Sequence, residues 1–219
     1  MEKLNKVRVD LNIAPLMVPV AHGTHKKVLV VLHETVSPDY GGLTDILGVA
    51  RYMPRNGLGI HGIIDGEGNL AWDVFGDSHV LYHTASGENG RVNTWSIGIE
   101  LISRVMMKYP DNQRRFEWWW QRAKQIEKCA KVLAYISHTH KLPLEWSDAK
   151  VPAYAVGDGM PQPGVTTHWQ VSKTYDVKGG PAYPDGGGAH WDAWPKHRDG
   201  YFPALRIIHR ARYWAKRGY

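Results

Sequence analysis

Lys27-Val28-Leu29-Val30-Val31-Leu32-His33-Glu34-Thr35 is the stretch of sequence that decides the fold. Five apolar residues, mostly β-branched, run together and give way to polar residues at His33. A continuous apolar run of this length is typical of a strand buried on both faces, inside a sheet covered by helices. Because ligand sites of open α/β sheets lie just outside the carboxyl ends of the strands, we expect a site at His33. A histidine that only caps the strand explains this segment, taken alone, equally well.

The composition fits one globular domain. The chain has 219 residues, of which 43% are hydrophobic, enough for a sizeable core. Ten Trp and 11 Tyr stand against three Phe, and the amphipathic rings of Trp and Tyr suit a wet, partly exposed groove. The net charge of +6 favours a polyanionic partner, either nucleic acid or an anionic cell wall or membrane surface.

Other features narrow the classes of protein. Cys129 is the single cysteine, so an internal disulfide is excluded. No segment approaches the length of a membrane span, and we expect no stable membrane insertion. We find no glycine-rich phosphate loop, zinc-finger spacing or basic run interleaved with aromatics, and we expect no nucleic-acid partner. The apolar segment 13–21 is short and is broken by two prolines, which predicts an extended arm laid on the domain rather than an export signal.

Periodicity along the rest of the chain predicts alternating helices and strands. The predicted strands cover residues 61–64, 69–74, 79–82, 96–101 and 164–168. The predicted helices cover residues 44–53 and 112–137, and a last helix begins at Pro203. A loop rich in Gly, Pro and Trp spans residues 172–201, and loops this long are usually functional or disordered.

The two later helices each have an apolar face in the sequence. The residues predicted to form these faces are Phe116, Trp120, Ala123, Ile126, Ala130 and Leu133 in the first helix, and Leu205, Ile208, Ala211 and Trp214 in the second. Cys129 borders the first face, and we expect it to be a buried, inert thiol.

Four polar groups are candidates for a metal site: His33, Glu100, His168 and the triplet His190-Trp191-Asp192. Zinc in hydrolases is typically held by three protein ligands, with a fourth position left for water. Two histidines and a carboxylate meet that requirement, and a carboxylate outside the ligand set can transfer the proton. Residues this far apart carry no spacing code, so the residues alone leave the metal site open.

A resemblance to a known family rests on four motifs that occur in order. They are Val30-Val31-Leu32-His33-Glu34-Thr35, His61-Gly62-Ile63-Ile64-Asp65-Gly66-Glu67-Gly68-Asn69-Leu70, Asn93-Thr94-Trp95-Ser96-Ile97-Gly98-Ile99-Glu100-Leu101 and Thr167-His168. Together they resemble the zinc-dependent N-acetylmuramoyl-L-alanine amidases related to peptidoglycan recognition proteins, and phage endolysin amidases most of all. The resemblance covers roughly residues 26–215, and the Ser96–Glu100 strand is its strongest piece.

The resemblance implies an α/β fold with a mixed central β-sheet flanked by helices and a zinc groove at the strand ends. It implies an N-terminal arm over residues 1–25 and a single catalytic domain over residues 26–219. The implied reaction is hydrolysis of the amide bond between N-acetylmuramic acid and L-alanine of the peptidoglycan stem peptide, with Zn²⁺ as cofactor. We expect peptidoglycan as the partner and a monomer in solution. A non-catalytic peptidoglycan-binding module of the same superfamily is the alternative.

The family's zinc ligands correspond to His33, His168 and Asp192 in this sequence. Asp176 is a rival for the third position, because residues 175–188 resemble an insertion. The resemblance also implies that His190, two residues before Asp192, donates to the oxyanion.

The proton shuttle is implied to be Glu100, because Ile60 stands where some relatives carry a catalytic tyrosine. The implied mechanism has zinc bind the water and the scissile carbonyl, while Glu100 moves the proton to the leaving nitrogen.

Roles or positions are also expected for other histidines, for Asn93 and for three tryptophans. His83 matches a groove-lining position in relatives, and Asn93 belongs to the third motif, so both are candidate substrate contacts. Three tryptophans either stack on sugar rings or pack the loop: Trp169, Trp191 and Trp194. His61 is expected to be a buried, hydrogen-bonded sheet residue. Surface positions are expected for His22, His25, His138, His140, His197 and His209.

The expected location follows from a wall substrate without an export signal. We expect synthesis in the cytoplasm and action on the cell wall after release during host lysis, as for a phage endolysin. A cytosolic recycling amidase is the alternative.

Overall fold

The computed structural model describes residues 6–36, 42–74, 76–84, 90–103, 112–150, 160–174 and 202–219. The strands are β1 (Leu11–Asn12), β2 (Leu29–Val36), β3 (Gly62–Ile64), β4 (Leu70–Trp72), β5 (Ser96–Ser103) and β6 (Gly164–Thr167). The helices are α1 (Ala14–Met17), α2 (Leu43–Arg55), α3 (Gly90–Trp95), α4 (Asn112–Gln121), α5 (Ala123–His140), α6 (His168–Thr174) and α7 (Ala204–Ala215), with a 3-10 turn at Val18–Val20.

The strands form one mixed sheet in the order β1-β4-β3-β5-β2-β6. β3 and β4 are antiparallel, and the other neighbouring pairs are parallel. The apolar run occupies β2, between β5 and β6, and each residue from Leu29 to Leu32 is 0% exposed. The predicted mixed sheet flanked by helices is therefore confirmed.

Alternation along β2 and β5 separates the two faces of the sheet, because successive strand residues point to opposite sides. On one face, Val30 and Leu32 belong to a core cluster that includes residues of α5 and α7. On the other face, Leu29 and Val31 cluster with residues of α3 and α6, and β3 clusters with α1 and α2. His33 continues the Leu29 and Val31 series, so it lies on this second face.

The end of β2 differs from the prediction. We predicted that the strand stops at Leu32, but it continues to Val36 and pairs with β5 along its whole length, His33 opposite Glu100. On its other edge, β6 pairs with β2 only as far as Leu32, which lies opposite Thr167. His33, Glu34 and Thr35 remain extended because they are buried against β5. The site residues therefore lie within the strands, and polarity alone does not mark a strand end.

The predicted helix over residues 112–137 is two helices. Arg122 leaves helical geometry, with φ −87° and ψ 43°, and its guanidinium lies 4.1 Å from the Trp118 ring centroid. The break changes the helical phase, so Trp119 is 1% exposed whereas Trp120, predicted to be buried, is 60% exposed. Ala123 is also exposed, which contradicts the prediction.

C-terminal to this break, most of the residues predicted to be buried are buried. Ile126, Ala130 and Leu133 of α5 are buried as predicted, and Cys129 is buried with them. Burial raises the pKa of the Cys129 thiol, which keeps it protonated and unreactive. In α7, Ile208 and Ala211 are buried as predicted. Leu205 is exposed, contrary to the prediction, and Ile207 is buried instead.

The N-terminal segment is not the extended arm that we predicted. β1 adds a parallel edge strand beside β4, and residues 14–20 form two short helical turns. Pro15 and Pro19 are the second residues of these turns, and proline is tolerated in the first turn of a helix because the N–H it lacks would have no partner there. Ile13 and Met17 are 0% exposed and pack in the α2 cluster.

Residues 79–82 are not the strand that we predicted. They contribute a single bridge from His79 to Thr24. No helix in the described part of the chain combines the length and apolar character needed to cross a bilayer.

Candidate active site

Three residues predicted to carry the chemistry meet on the second face of the sheet. His33 Nδ1 lies 3.9 Å from Glu100 Oε1, and the ring centroids of His33 and His168 are 4.7 Å apart. His33 is 1% exposed, and Glu100 and His168 are each 6% exposed. Their convergence follows from the register: Glu100 pairs with His33, and Leu32 pairs with Thr167, which directly precedes His168. The arrangement joins two imidazoles and a carboxylate in a largely desolvated site.

His83 extends this cluster. Its Nδ1 lies 3.0 Å from His33 Nε2, and its Nε2 lies 3.0 Å from Ser96 Oγ. Burial is the main reason that the pKa of His83 is held well below its ordinary value, and the neighbouring His33 lowers it further. His83 is therefore neutral at physiological pH.

Asn93 fixes the segment that carries His83. The Asn93 Oδ1 atom accepts hydrogen bonds from His83 N at 3.1 Å, Thr84 N at 2.9 Å and Thr84 Oγ1 at 2.9 Å. Asn93 is 1% exposed, and its side-chain carbonyl is occupied by these three donors. These bonds hold the backbone of residues 83–84 and so fix the position from which the His83 side chain extends.

His61 lies beside His83, with ring centroids 5.9 Å apart. Its Nδ1 accepts the Gly98 N–H at 3.0 Å, and its Nε2 donates to the His79 carbonyl at 2.9 Å. Burial lowers the pKa of His61 to about 3, so the ring is neutral. Both ring nitrogens are used within the protein, as expected for a structural histidine.

Gly98, in the middle of β5, gives His83 its space. A Cβ atom at this position would lie 2.6 Å from His83 Cγ and 2.5 Å from Ile60 Cδ1. The glycine of the Ser-Ile-Gly-Ile-Glu motif is thus explained by the close approach of the His83 ring.

We predict that Gly98→Ala destabilises the fold by about 1–3 kcal/mol, the usual cost of overpacking, because the methyl group must displace His83 or Ile60. Chemical denaturation measures this change in the free energy of unfolding. Gly48→Ala is the matched control, because nothing lies within 4 Å of a Cβ at Gly48. In the interior of α2 that change should instead stabilise by about 0.5–1 kcal/mol. Equal effects of the two substitutions would contradict this explanation of Gly98.

The roles of Ser96 and Lys27 were not predicted from the sequence. Ser96 lies in the third of the four family motifs, but a serine within a strand carries no signal of its bond to a histidine. Lys27 is 0% exposed and donates to the Thr94 carbonyl at the end of α3, at 3.1 Å. Burial lowers the pKa of Lys27 to about 7.

Two surface assignments need correction. His25 is half-buried, and its ring centroid lies 4.2 Å from that of Trp95. We expected His140 at the surface, but it is half-buried, and its Nε2 lies 3.0 Å from Asp77 Oδ2. The pairing arises because α5 brings His140 close to the segment that follows β4, which the sequence pattern does not reveal.

The donor set fits part of a zinc site. Imidazole nitrogens and carboxylate oxygens are ordinary zinc ligands, and His33 and His168 supply two imidazoles side by side. Within the described ranges, no group of three His, Cys, Asp or Glu side chains has an arrangement that could hold a metal ion. The remaining predicted site residues, His190, Trp191, Asp192 and Trp194, and the rival ligand Asp176, lie outside the described residues.

Trp169 is the one predicted sugar-stacking tryptophan that lies within the described ranges. It is half-buried at the start of α6, next to His168. The Lys173 Nζ atom lies 5.1 Å from its ring centroid, within reach of a cation–π contact.

Comparison with known proteins adds a family and a fold. A family model described as N-acetylmuramoyl-L-alanine amidase matches residues 24–181. No curated protein matches the chain by sequence. The hydrolase AmiA of Staphylococcus aureus, solved in complex with its ligand, is similar in fold with a TM-score of 0.53 at 17% identity, over 89% of this chain and 76% of AmiA. A point mutant of PlyL is similar with a TM-score of 0.52 at 14% identity, over 94% of this chain and 98% of that one.

Proposed function

The chain belongs to the N-acetylmuramoyl-L-alanine amidase family, and on this premise we propose that it is a zinc-dependent enzyme. The proposed substrate bond is the amide between N-acetylmuramic acid and L-alanine of the peptidoglycan stem peptide. The observation that carries the zinc proposal is the pairing of His33 and His168, whose ring centroids are 4.7 Å apart, beside the buried carboxylate of Glu100.

His33 and His168 are the proposed zinc ligands from the described residues, and Asp192 is the proposed third. Zinc held by such a set lowers the pKa of water to near neutrality and polarises a carbonyl oxygen. The protein supplies the rest of the chemistry. His33 lies on β2, and His168 directly follows the neighbouring parallel strand β6. The sheet therefore fixes their separation before any ligand binds.

Glu100 is the proposed general base and acid. It lies opposite His33 on the neighbouring strand, and its Oε1 is 3.9 Å from His33 Nδ1. From this position the carboxylate can take a proton from the attacking water and return it to the leaving nitrogen, so one group serves both transfers. His190 is proposed to donate a hydrogen bond to the oxyanion, an interaction whose loss usually costs about 10²- to 10³-fold in rate.

Substrate contacts are proposed for three tryptophans and no longer for Asn93. Trp169, Trp191 and Trp194 are proposed to stack on sugar rings, and of these Trp169 adjoins the proposed ligand His168. For Asn93, the three hydrogen bonds that its Oδ1 accepts support a role in holding residues 83–84 rather than in contacting substrate.

Metal removal tests the proposed function. We expect about one zinc per chain, the number that one set of three protein ligands holds. A chelator should abolish release of soluble fragments from purified peptidoglycan, and added zinc should restore it. Release that continues unchanged in metal-free protein would contradict the zinc mechanism. Binding to sedimented peptidoglycan without release, in zinc-loaded protein, would favour the non-catalytic alternative.

The third ligand has its own prediction, in which Asp192→Ala loses zinc and Asp176→Ala retains it with most of the activity. In an extended segment, residues two apart point to the same side, so His190 and Asp192 can face one substrate. The residue two before Asp176 is Thr174, which cannot offer a positive charge to an oxyanion. Metal analysis of both variants decides between the aspartates, and a zinc-free Asp176→Ala protein would overturn the assignment of Asp192. His190→Ala should keep zinc but turn over slowly.

A further inference from the structure

We infer that His83 is a positioning residue for His33, and that a hydrogen-bond chain from Val92 through Ser96 and His83 fixes which ring nitrogen of His33 carries the proton. The inference rests on the proposed function, because it concerns how His33 is prepared to bind zinc. It names the nitrogen through which His33 binds: Nδ1, with the proton held on Nε2.

The direction of the chain is set at its first member. The Val92 carbonyl oxygen can only accept, and Ser96 Oγ lies 2.7 Å from it, so the single hydroxyl proton of Ser96 is donated there. Ser96 Oγ must then act as the acceptor toward His83 Nε2, 3.0 Å away. His83 therefore carries its proton on Nε2.

The second step transfers this direction to His33. A neutral imidazole with its proton on Nε2 has a lone pair on Nδ1, and His83 Nδ1 faces His33 Nε2 at 3.0 Å. For a hydrogen bond at this distance, His33 Nε2 must be the donor. The lone pair of neutral His33 then resides on Nδ1, the nitrogen that faces Glu100.

The His83 ring is held so that this chain persists. Asn93 accepts a hydrogen bond from the backbone of His83, and the missing side chain of Gly98 leaves room for the ring. His83 and His33 meet edge to face, with an interplanar angle of 85°, which directs one ring nitrogen at the other.

Nitrogen NMR of the histidine rings in the metal-free protein tests the inference. At a pH well above the ordinary histidine pKa, we expect the His33 signals, identified by their loss in His33→Asn, to report a proton on Nε2. In Ser96→Ala the direction is no longer imposed, and a fraction of His33 should carry its proton on Nδ1. Zinc affinity should fall by about 10-fold or more, as for other partners of metal-binding histidines. Ser96→Thr keeps the hydroxyl and should restore both properties.

Ser137→Ala is the matched control, because Ser137 Oγ also donates to a backbone carbonyl, that of Leu142 at 2.6 Å, away from the site. It should change neither the tautomer nor the zinc affinity. A proton on Nδ1 of His33 in the unmodified protein would overturn the inference, even if Ser96→Ala failed to fold. An affinity loss in Ser96→Ala without a change of tautomer would also overturn it. Failure of the proposed function is distinguishable, because the unmodified protein would then bind no zinc while the tautomer was still measured.

Discussion

Replacement of His33 or His168 by alanine is expected to remove zinc and peptidoglycan cleavage together. Each change leaves only two of the three proposed protein ligands, and zinc in hydrolases is typically held by three. Zinc contributes several kcal/mol to the stabilisation of transition-state charge, so the rate should fall by about a thousandfold or more. Metal content of the purified variants and release of soluble peptidoglycan fragments measure the two losses.

His209→Ala is the control for these variants, since His209 is exposed on α7 and should keep both zinc and activity. Circular dichroism should show that the His33 and His168 variants remain folded. Full activity in either variant would remove that histidine from the ligand set.

Glu100→Gln should keep zinc and lose about 10²- to 10⁴-fold in rate, the range expected for a general acid–base residue. The amide preserves the shape of the side chain but cannot take a proton from water. Steady-state rates on solubilised peptidoglycan, together with metal content, measure the effect. Loss of the metal in this variant would instead make Glu100 a ligand.

Glu34→Gln is the matched control for Glu100→Gln. Glu34 is also a buried glutamate in a central strand, but it lies on the opposite face of the sheet, where its Oε1 accepts a hydrogen bond from Ser103 Oγ at 2.7 Å. The control substitution should affect stability and leave the rate within a few-fold. A comparable loss of rate in both variants would indicate a general effect on the sheet rather than a chemical role of Glu100.

Strand β2, in the middle of the sheet, was accessible from sequence because a long apolar run marks it. The run before His33 predicts a strand buried on both faces, and parallel pairing then explains why His33, Glu100 and His168 converge. The end of β2 was not accessible, because His33, Glu34 and Thr35 are held extended by burial that depends on residues far away in the chain. The buried face of α4 was not accessible either, because the non-helical residue Arg122 changes the rotation of α4 relative to α5.

The hydrogen-bond chain behind His33 could not be predicted from sequence. Ser96 is one small polar residue in an apolar strand, and His83 is one of 12 histidines. Only their distances in space reveal that the serine directs the proton of one histidine and that this histidine directs another. Gly98 illustrates the same limit, because the sequence shows the glycine but not the ring that needs its space.

Mass spectrometry of the products from purified peptidoglycan tests the central claim most directly, because it identifies the bond that is cut. We expect zinc-loaded protein to release stem peptides with a free amino group on L-alanine, and to leave glycan strands whose N-acetylmuramic acid residues keep the lactyl carboxyl group. Each cleavage should add one water across this amide, and the Glu100→Gln protein should yield far less of both products. Cleavage within the glycan strand or between two amino acids of the peptide, or intact peptidoglycan after incubation with the zinc-loaded protein, would contradict the account.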